Sequence, residues 1–463
     1  MKVILFQLLI FPIFSYIIFP LKKDNLTISS VNENKPEEIF SKLLKSNLYI
    51  ILNIGSKKVD IKASLADSKT ELIISGKKIK NHKYDETQSL TYNITNNTKV
   101  TFQYNTYKEG ILSTEKFNIL NSSKELNPFI IDFILGTDIS TSYIYRIEAE
   151  NGLYLPSAKS FNDCNLIISL KNSNAISSYN WFLDFNNFEK GEGKMIIDTF
   201  PHSLYKDKYK EENFVKTNAV NKYGTLTWGF KFSNINYGDE ILPLSEDLKA
   251  FIGFENGIIS APDQIGVILE SRFFSQYIDK NICFKENIGY VNNYFFYCKK
   301  DGIFSIENFQ SIYFNCNDLE IIFELDYQDL FYTEGDNIYF LIEFKKNVGA
   351  HWTFGKAFLK KYFIVFNQKD KTLGYYKYME KNKNDKNNND KNNSFFYNFI
   401  LIIIISVLLV IAMIILGIYL YKKKKYKKQK ANELDEDYDY EQKLYSEKSK
   451  SIISDNANTI NTF

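Results

Sequence analysis

The chain is 463 residues long, 44% hydrophobic, with 33 tyrosines, 39 phenylalanines and a formal net charge of +2. That much apolar and aromatic area excludes a chain too polar to fold and supplies a substantial core. A charge so close to balance excludes an overall field for nucleic acid, so only a local cluster can attract a polyanion or a membrane surface.

At the N-terminus one lysine, an apolar run from Val3 to Phe19 and then Pro20 lead into a polar segment. This is the layout of a secretory leader. Residues 1–20 are read as a signal peptide and 21–45 as an N-terminal extension, with an uncleaved signal anchor as the alternative. Beyond them come short segments that alternate or run apolar: YIILNI, VDIKASL, ELIIS, KVTFQYN, GKMIID, LTWGFKF, DLEIIFEL, NIYFLIEF and KYFIVFN. Clusters of Asn, Asp, Gly, Ser and Lys separate them, and this spacing predicts a mainly β domain over 46–376. Between Pro262 and Ile278 the apolar residues recur at helical spacing instead.

Cys164, Cys283, Cys298 and Cys316 all fall in this domain and allow three complete disulfide pairings. There is no CxxC and the chain has only 3 His, so neither a metal site nor a cofactor is expected. Asn-x-Ser/Thr sequons at Asn25, Asn93, Asn96, Asn121 and Asn392 agree with a secretory address. From Met379 the composition turns to EKNKNDKNNNDKNNS, which has nothing to bury, so 377–394 is read as a disordered stalk. Residues 395–421 carry no charge, and a helix needs about 20 such residues to cross a hydrocarbon core about 30 Å thick. The lysine cluster from Lys422 to Lys430 then holds the tail, 422–463, in the cytosol. The expectation is a single-pass type I membrane protein whose β domain is lumenal or extracellular.

Within the β domain, residues 250–262 read AFIGFENGIISAP: an Ala, two apolar residues, a short turn, an apolar pair and a Pro. This resembles the second active-site loop of the pepsin-like aspartic proteases, where the turn begins Asp-Thr-Gly. Gly253 falls on the Asp and Glu255 on the Gly. NLYIILNIGSKKVDIKASLADSKTELII resembles the first strand pair and loop, with Ile54-Gly55 at the family's Ile-Gly. Matching Leu72 to the apolar residue after the family's Asp-Thr-Gly-Ser-Ser puts Ala66 on the first catalytic Asp, Ser68 on the Gly and Lys69 beside it. KVTFQYNTYKEGILSTEKFNIL resembles the flap hairpin, with Tyr104 at the flap tyrosine and Gly110, Ile111 and Leu112 after it. LTWGFKFSNI places Trp228 on the Trp-containing strand before the second lobe. In HWTFGKAFLKKYFIVFNQKDKTLGYY, residues Trp352, Gly355, Phe358, Leu359, Tyr362, Val365, Phe366 and Gly374 keep the spacing of the family's C-terminal pattern. NGLYLPS, 151–157, is a looser match to Asp-Gly-Ile-Leu-Gly-Leu, with Leu155 near the place of an active-site-supporting Gly.

The resemblance, which runs from about 46 to 376, implies a bilobal fold with lobes about 46–215 and 216–376, and Trp352 to Phe366 packed beneath the second loop. It also implies a chemistry for which this chain lacks the groups. The family's two aspartates share a proton; one takes a proton from water while the other protonates the scissile carbonyl. With Ala66 and Gly253 in their places, the expectation is a cleft that binds peptide or protein without cleaving it. Two alternatives stay open. One is an active membrane-anchored endopeptidase that uses Asp67 and an acid such as Glu255, both displaced from the expected positions; the other is a structural or adhesion ectodomain with a closed cleft. No Ser-His-Asp or Cys-His grouping is visible around His82, His202 and His351, each expected on the surface or in a loop.

Overall fold

Strand pairing organises the computed structural model, which describes residues 16–23, 35–45, 48–66, 70–79, 82–102, 107–123, 125–139, 149–153, 164–188, 193–222, 225–244, 248–288, 293–300, 302–316, 321–346 and 351–377, with 443 and 446. Apart from those last two, all belong to one unit, Met1–Tyr378. The stalk, the apolar run 395–421 and the lysine cluster lie outside the described residues, among which no helix is long and apolar enough to cross a membrane.

The first half is built from β1 (Ile17–Lys23), β2 (Leu48–Ile54), β3 (Val59–Ala66), β4 (Leu72–Ser75), β5 (Asn93–Thr101), β6 (Tyr107–Leu120), β7 (Leu126–Ile139), β8 (Ala149–Gly152), β9 (Asn180–Asp184), β10 (Lys194–Ile197) and β11 (Phe214–Asn218). They form a 13-stranded sheet with two C-terminal strands, in the order β11, Thr372–Tyr376, Val365–Asn367, β9, β10, β1, β2, β3, β8, β4, β7, β6, β5. The last strands therefore cross back over the lobe boundary expected at 215/216: Val365–Asn367 pairs with β9, and Thr372–Tyr376 with β11. β1 splices this sheet together. Its first residues, Ile17 to Pro20, run antiparallel to β10, and Leu21 to Lys23 then run antiparallel to β2. Residues 17–20, placed above within the leader, are thus strand, and Phe19 and Leu21 are buried.

The second half holds a 9-stranded sheet, in which Leu248–Ile252, His351–Phe354, Ile259–Pro262 and Ile342–Lys345 are central, and a 4-stranded sheet of Glu240–Ile241, Asn234–Tyr237, Ile312–Cys316 and Ile321–Leu325. The predicted helix follows, as Asp263–Leu269, a π turn Glu270–Phe274 and Ser275–Ile278. The wider turn adds a residue to the repeat, so Phe273 and Phe274 both reach the buried face with Ile265, Leu269 and Tyr277. KYFIVFN is not one strand: Lys361 ends the helix Lys356–Lys361, and pairing resumes only at Val365. Cys283 lies directly opposite Cys298 across an antiparallel hairpin, and these two form a disulfide while Cys164 and Cys316 stay reduced and buried.

An N-terminal helix, α1 (Pro36–Leu44), begins with Pro36, Glu37 and Glu38 and carries Lys42 in its last turn, charges that oppose its dipole. It buries Ile39 and Phe40 against Ile258, Phe295 and Tyr339, and Phe40 stacks on Phe295 at 3.9 Å.

Trp181, Trp228 and Trp352 are fully buried in the main core with much of the phenylalanine. Many tyrosines are buried too. Burial is the main cause that pushes the hydroxyls of Tyr84, Tyr107, Tyr205, Tyr209, Tyr294, Tyr375 and Tyr376 above the ordinary tyrosine range; at Tyr84, the Glu115 carboxylate that accepts its hydrogen bond adds to it. In the unfolded chain these groups ionise near pH 10. Folded pKa values raised above that leave stability intact below about pH 10 and remove it as pH rises further. Melting temperatures measured from pH 8 to 11 should hold level and then fall beyond about 10; a level profile throughout would contradict the buried hydroxyls.

Candidate functional site

The first loop grows out of the β2–β3 hairpin, whose register runs from Tyr49↔Ser64 to Ile54↔Val59. Ala66 ends β3 and is buried. There β8 runs parallel to β3, with Ala66 paired to Gly152, and the Leu153 N–H donates to the Ala66 carbonyl at 2.8 Å. β8 also runs antiparallel to β4, so that Leu72 pairs with Asn151 and Ile73 with Glu150. Asn165 fastens this crossing. Its amide donates to the Thr70 carbonyl at 2.7 Å, and its Oδ1 caps the helix α2 (Leu166–Asn172) by accepting from the N–H groups of Ile167 and Ile168.

The second loop repeats the plan. Leu248–Ile252 runs parallel to His351–Phe354, with Ile252 paired to Phe354, while Ser260 pairs antiparallel with Thr353. The Gly253 N–H donates to the Phe354 carbonyl at 2.9 Å. Gly355 lies so close to the loop that a Cβ there would overlap the carbonyl oxygens of Ile258 and Asn256. Gly152 holds the matching place beside Ala66, so the supporting glycine of the first half is Gly152. Leu155, assigned near that place from NGLYLPS, lies outside the described residues. The repeat likewise sets Glu150, a buried carboxylate, where Thr353 stands in the second half.

Trp228 joins the two loops. Its carbonyl accepts from the Ile252 N–H at 2.9 Å, one residue before Gly253, and its indole N–H donates at 2.7 Å to the carbonyl of Leu153, the residue bonded to Ala66. The structure thus brings Ala66 and Gly253 together through one tryptophan, and neither bears a carboxylate. The space on Gly253 is filled: a Cβ added there would lie 2.7 Å from Thr353 Cγ2 and closer still to Asn256 Nδ2. The Asn256 amide therefore sits where an acidic side chain on residue 253 would begin. Phe254, next along, is buried against Trp181 and Phe366 with ring centroids 5.6 and 5.4 Å away. This is also where the C-terminal segment packs beneath the loop. Glu255 is exposed at the turn while Gly253 is buried.

Asp67 and the hairpin tip that carries Tyr104 lie outside the described residues. The base of that hairpin is defined: β5 and β6 pair with two register shifts, the Phe102 N–H donates to the Lys108 carbonyl at 2.9 Å, and buried Tyr107 bonds Ser75 Oγ at 2.9 Å. The histidines stand apart on separate elements. His82 Nδ1 bonds the Ile79 carbonyl in a turn, His202 lies in the short helix Pro201–Leu204 beside Phe200, Phe214 and Tyr376, and His351 is on a strand rather than in a loop. Among the described residues no cluster of His, Cys, Asp and Glu is placed to hold a metal.

Two features had no clear signal in the sequence. The N-terminal segment covers part of the second loop: the Gly257 N–H donates to the Leu44 carbonyl at 2.7 Å, and Lys45 bridges Asn256. Asn151 is fully buried on β8, and its amide has no hydrogen-bond partner among the described residues. A buried polar group left unpaired costs about 1–3 kcal/mol, so Asn151→Leu, close in size, is expected to raise stability by about 1–2 kcal/mol. A denaturant midpoint that falls would show that the amide is satisfied in solution.

A family model described as eukaryotic aspartyl protease matches residues 45–377. Among curated proteins no match was found.

Proposed function

The chain belongs to the eukaryotic aspartyl protease family, and on that premise we propose that it binds a peptide or protein in the cleft between its two halves without hydrolysing it. The observation that carries this reading is the pair of linked loop ends, Ala66 and Gly253, with the Asn256 amide in the space an acid on residue 253 would need. Hydrolysis by a shared-proton pair requires two carboxylates a few ångströms apart, one held as base and the other as acid. Glu150 adds a single acid to the first half, where the second half has Thr353, and neither Ala66, Gly253 nor Thr353 supplies a second carboxylate with which it could share a proton. Exposure of Glu255 on the turn argues against its serving as a second member.

The test is an assay of the purified full-length protein against an acid-unfolded protein substrate from about pH 3 to 7, the range in which such a pair works. No cleavage is expected. Pepstatin-sensitive cleavage that Asp67→Asn abolishes would overturn the proposal in favour of a displaced pair.

The same proposal places the β domain outside the cytosol on a single-pass anchor, supported by the uncharged run 395–421 and the lysines after it. The leader then ends before Ile17, because a cut after Pro20 would remove the half of β1 that pairs with β10. Glycosidase should increase the mobility of the expressed protein, and its first residue should precede Ile17.

A further inference from the structure

Asn-Gly occurs twice in the chain, as Asn151-Gly152 and Asn256-Gly257. Each adjoins a loop end: Gly152 pairs with Ala66, and the Asn256 N–H donates to the Gly253 carbonyl at 3.2 Å. The dipeptide is chemically labile, because glycine has no Cβ to keep its backbone nitrogen from the asparagine side chain and its backbone turns freely enough to bring the two together. At Asn256 the setting permits that reaction. The residue is half-buried in the turn, within reach of water, and its Nδ2 lies against the position that a Cβ on Gly253 would take. One contact restrains it: the Gly257 N–H donates to the Leu44 carbonyl at 2.7 Å and Lys45 bridges Asn256, so the N-terminal segment holds the nitrogen in place. At Asn151 the setting forbids it. That residue is fully buried on β8 between β3 and β4, and the Gly152 N–H donates to the Glu71 carbonyl at 3.0 Å.

We propose that Asn256 deamidates spontaneously when the N-terminal segment lifts, and that this places a carboxylate at the second loop. The Gly257 nitrogen bonds to Asn256 Cγ and gives up its proton; the Cγ–Nδ2 bond breaks, and the amide leaves with that proton as ammonia. Water then opens the cyclic imide at either carbonyl and leaves aspartate or isoaspartate at residue 256. No other reactant is needed. The loop thereby acquires a negative charge that Gly253 cannot supply and loses the amide that fills its place. The modification is read by mass, so its test does not depend on whether the cleft binds or cleaves.

The full-length protein is incubated at mildly alkaline pH, sampled over days and digested, and the peptides that hold residues 151 and 256 are weighed by mass spectrometry. Acid should replace amide at 256 and not at 151. Ile39→Ser with Phe40→Ser removes the apolar contacts of α1 and keeps the dipeptide. It should speed the change at least about tenfold, because the rate follows the population of the opened state. Gly257→Ala releases the same helix but sets a methyl group beside the attacking nitrogen, and should keep the amide. If the double variant fails to fold, Phe40→Ala alone decides by the same reading. No change at 256 in any of these proteins, an equal rate at 151, or an equal rate with and without release of the helix overturns the proposal. Loss of the amide in Gly257→Ala as fast as in the double variant overturns ring closure as its route.

Discussion

Gly355→Ala is expected to destabilise the protein by about 3 kcal/mol or more, the upper range for overpacking, whereas Gly257→Ala should release one helix and leave the rest folded. Both substitutions add a single methyl group beside backbone. At Gly355 the methyl would overlap the carbonyl oxygens of Ile258 and Asn256, which belong to the loop between two central strands and cannot move without breaking the Lys356 N–H to Asn256 bond of 2.8 Å. At Gly257 the obstructing atoms are the carbonyl of Leu43 and, at 2.8 Å, that of Lys45. These lie on the N-terminal segment, which can leave. Its departure loses the burial of Ile39 and Phe40, worth at most about 1.5–3 kcal/mol each. Denaturant midpoints should separate the two variants, and amide exchange over 36–44 should accelerate in Gly257→Ala alone. Equal effects would mean that α1 is as firmly held as the loop itself.

Restoring the acids is the second large effect. Ala66→Asp with Gly253→Asp is expected to remain inactive, because the Asn256 amide and the Thr353 methyl occupy the space that the new side chain on residue 253 requires. Adding Asn256→Thr, a shorter side chain without the obstructing Nδ2, clears the amide. The triple variant should then show pepstatin-sensitive hydrolysis at acid pH at least about a hundredfold above the double, the low end of what positioned acid–base groups contribute. Activity in the double variant equal to that of the triple would remove Asn256 from the account. A triple variant that folds and is still inactive would place the block in the residues at the loop glycine positions, Ser68 and Glu255.

The loops were legible where their frame is apolar. In AFIGFENGIISAP the buried positions Ala250, Phe251, Ile252, Ile258 and Ile259 flank the turn at spacing that no insertion disturbs, so Gly253 could be numbered from the sequence. The spaced residues from Trp352 to Phe366 could be read for the same reason: they are core residues, and core residues keep their spacing. NGLYLPS misled by offering Leu155 because its strand carries Glu150 and Asn151 where apolar residues would have marked the register. Only the parallel pairing of Ala66 with Gly152, residues far apart in the chain, identifies the glycine. A polar residue on a strand gives no sign of which face is buried, and a slip of one position exchanges the faces.

By itself, then, the sequence determined what depends on local order: the β-rich composition, the hairpins, the helix after Pro262, and the lack of an acid at residues 66 and 253. Tertiary structure alone decided what depends on partners distant in the chain. It placed residues 17–20 in a central strand, because they complete the hydrogen bonding of β10 while Leu21 to Lys23, next along the same strand, complete that of β2. It selected Cys283 and Cys298 from the possible pairings, because antiparallel register sets them face to face. It joined the two loops through Trp228, and it filled the space on Gly253 with the amide of Asn256, because packing of neighbouring chains leaves no void where a side chain is missing.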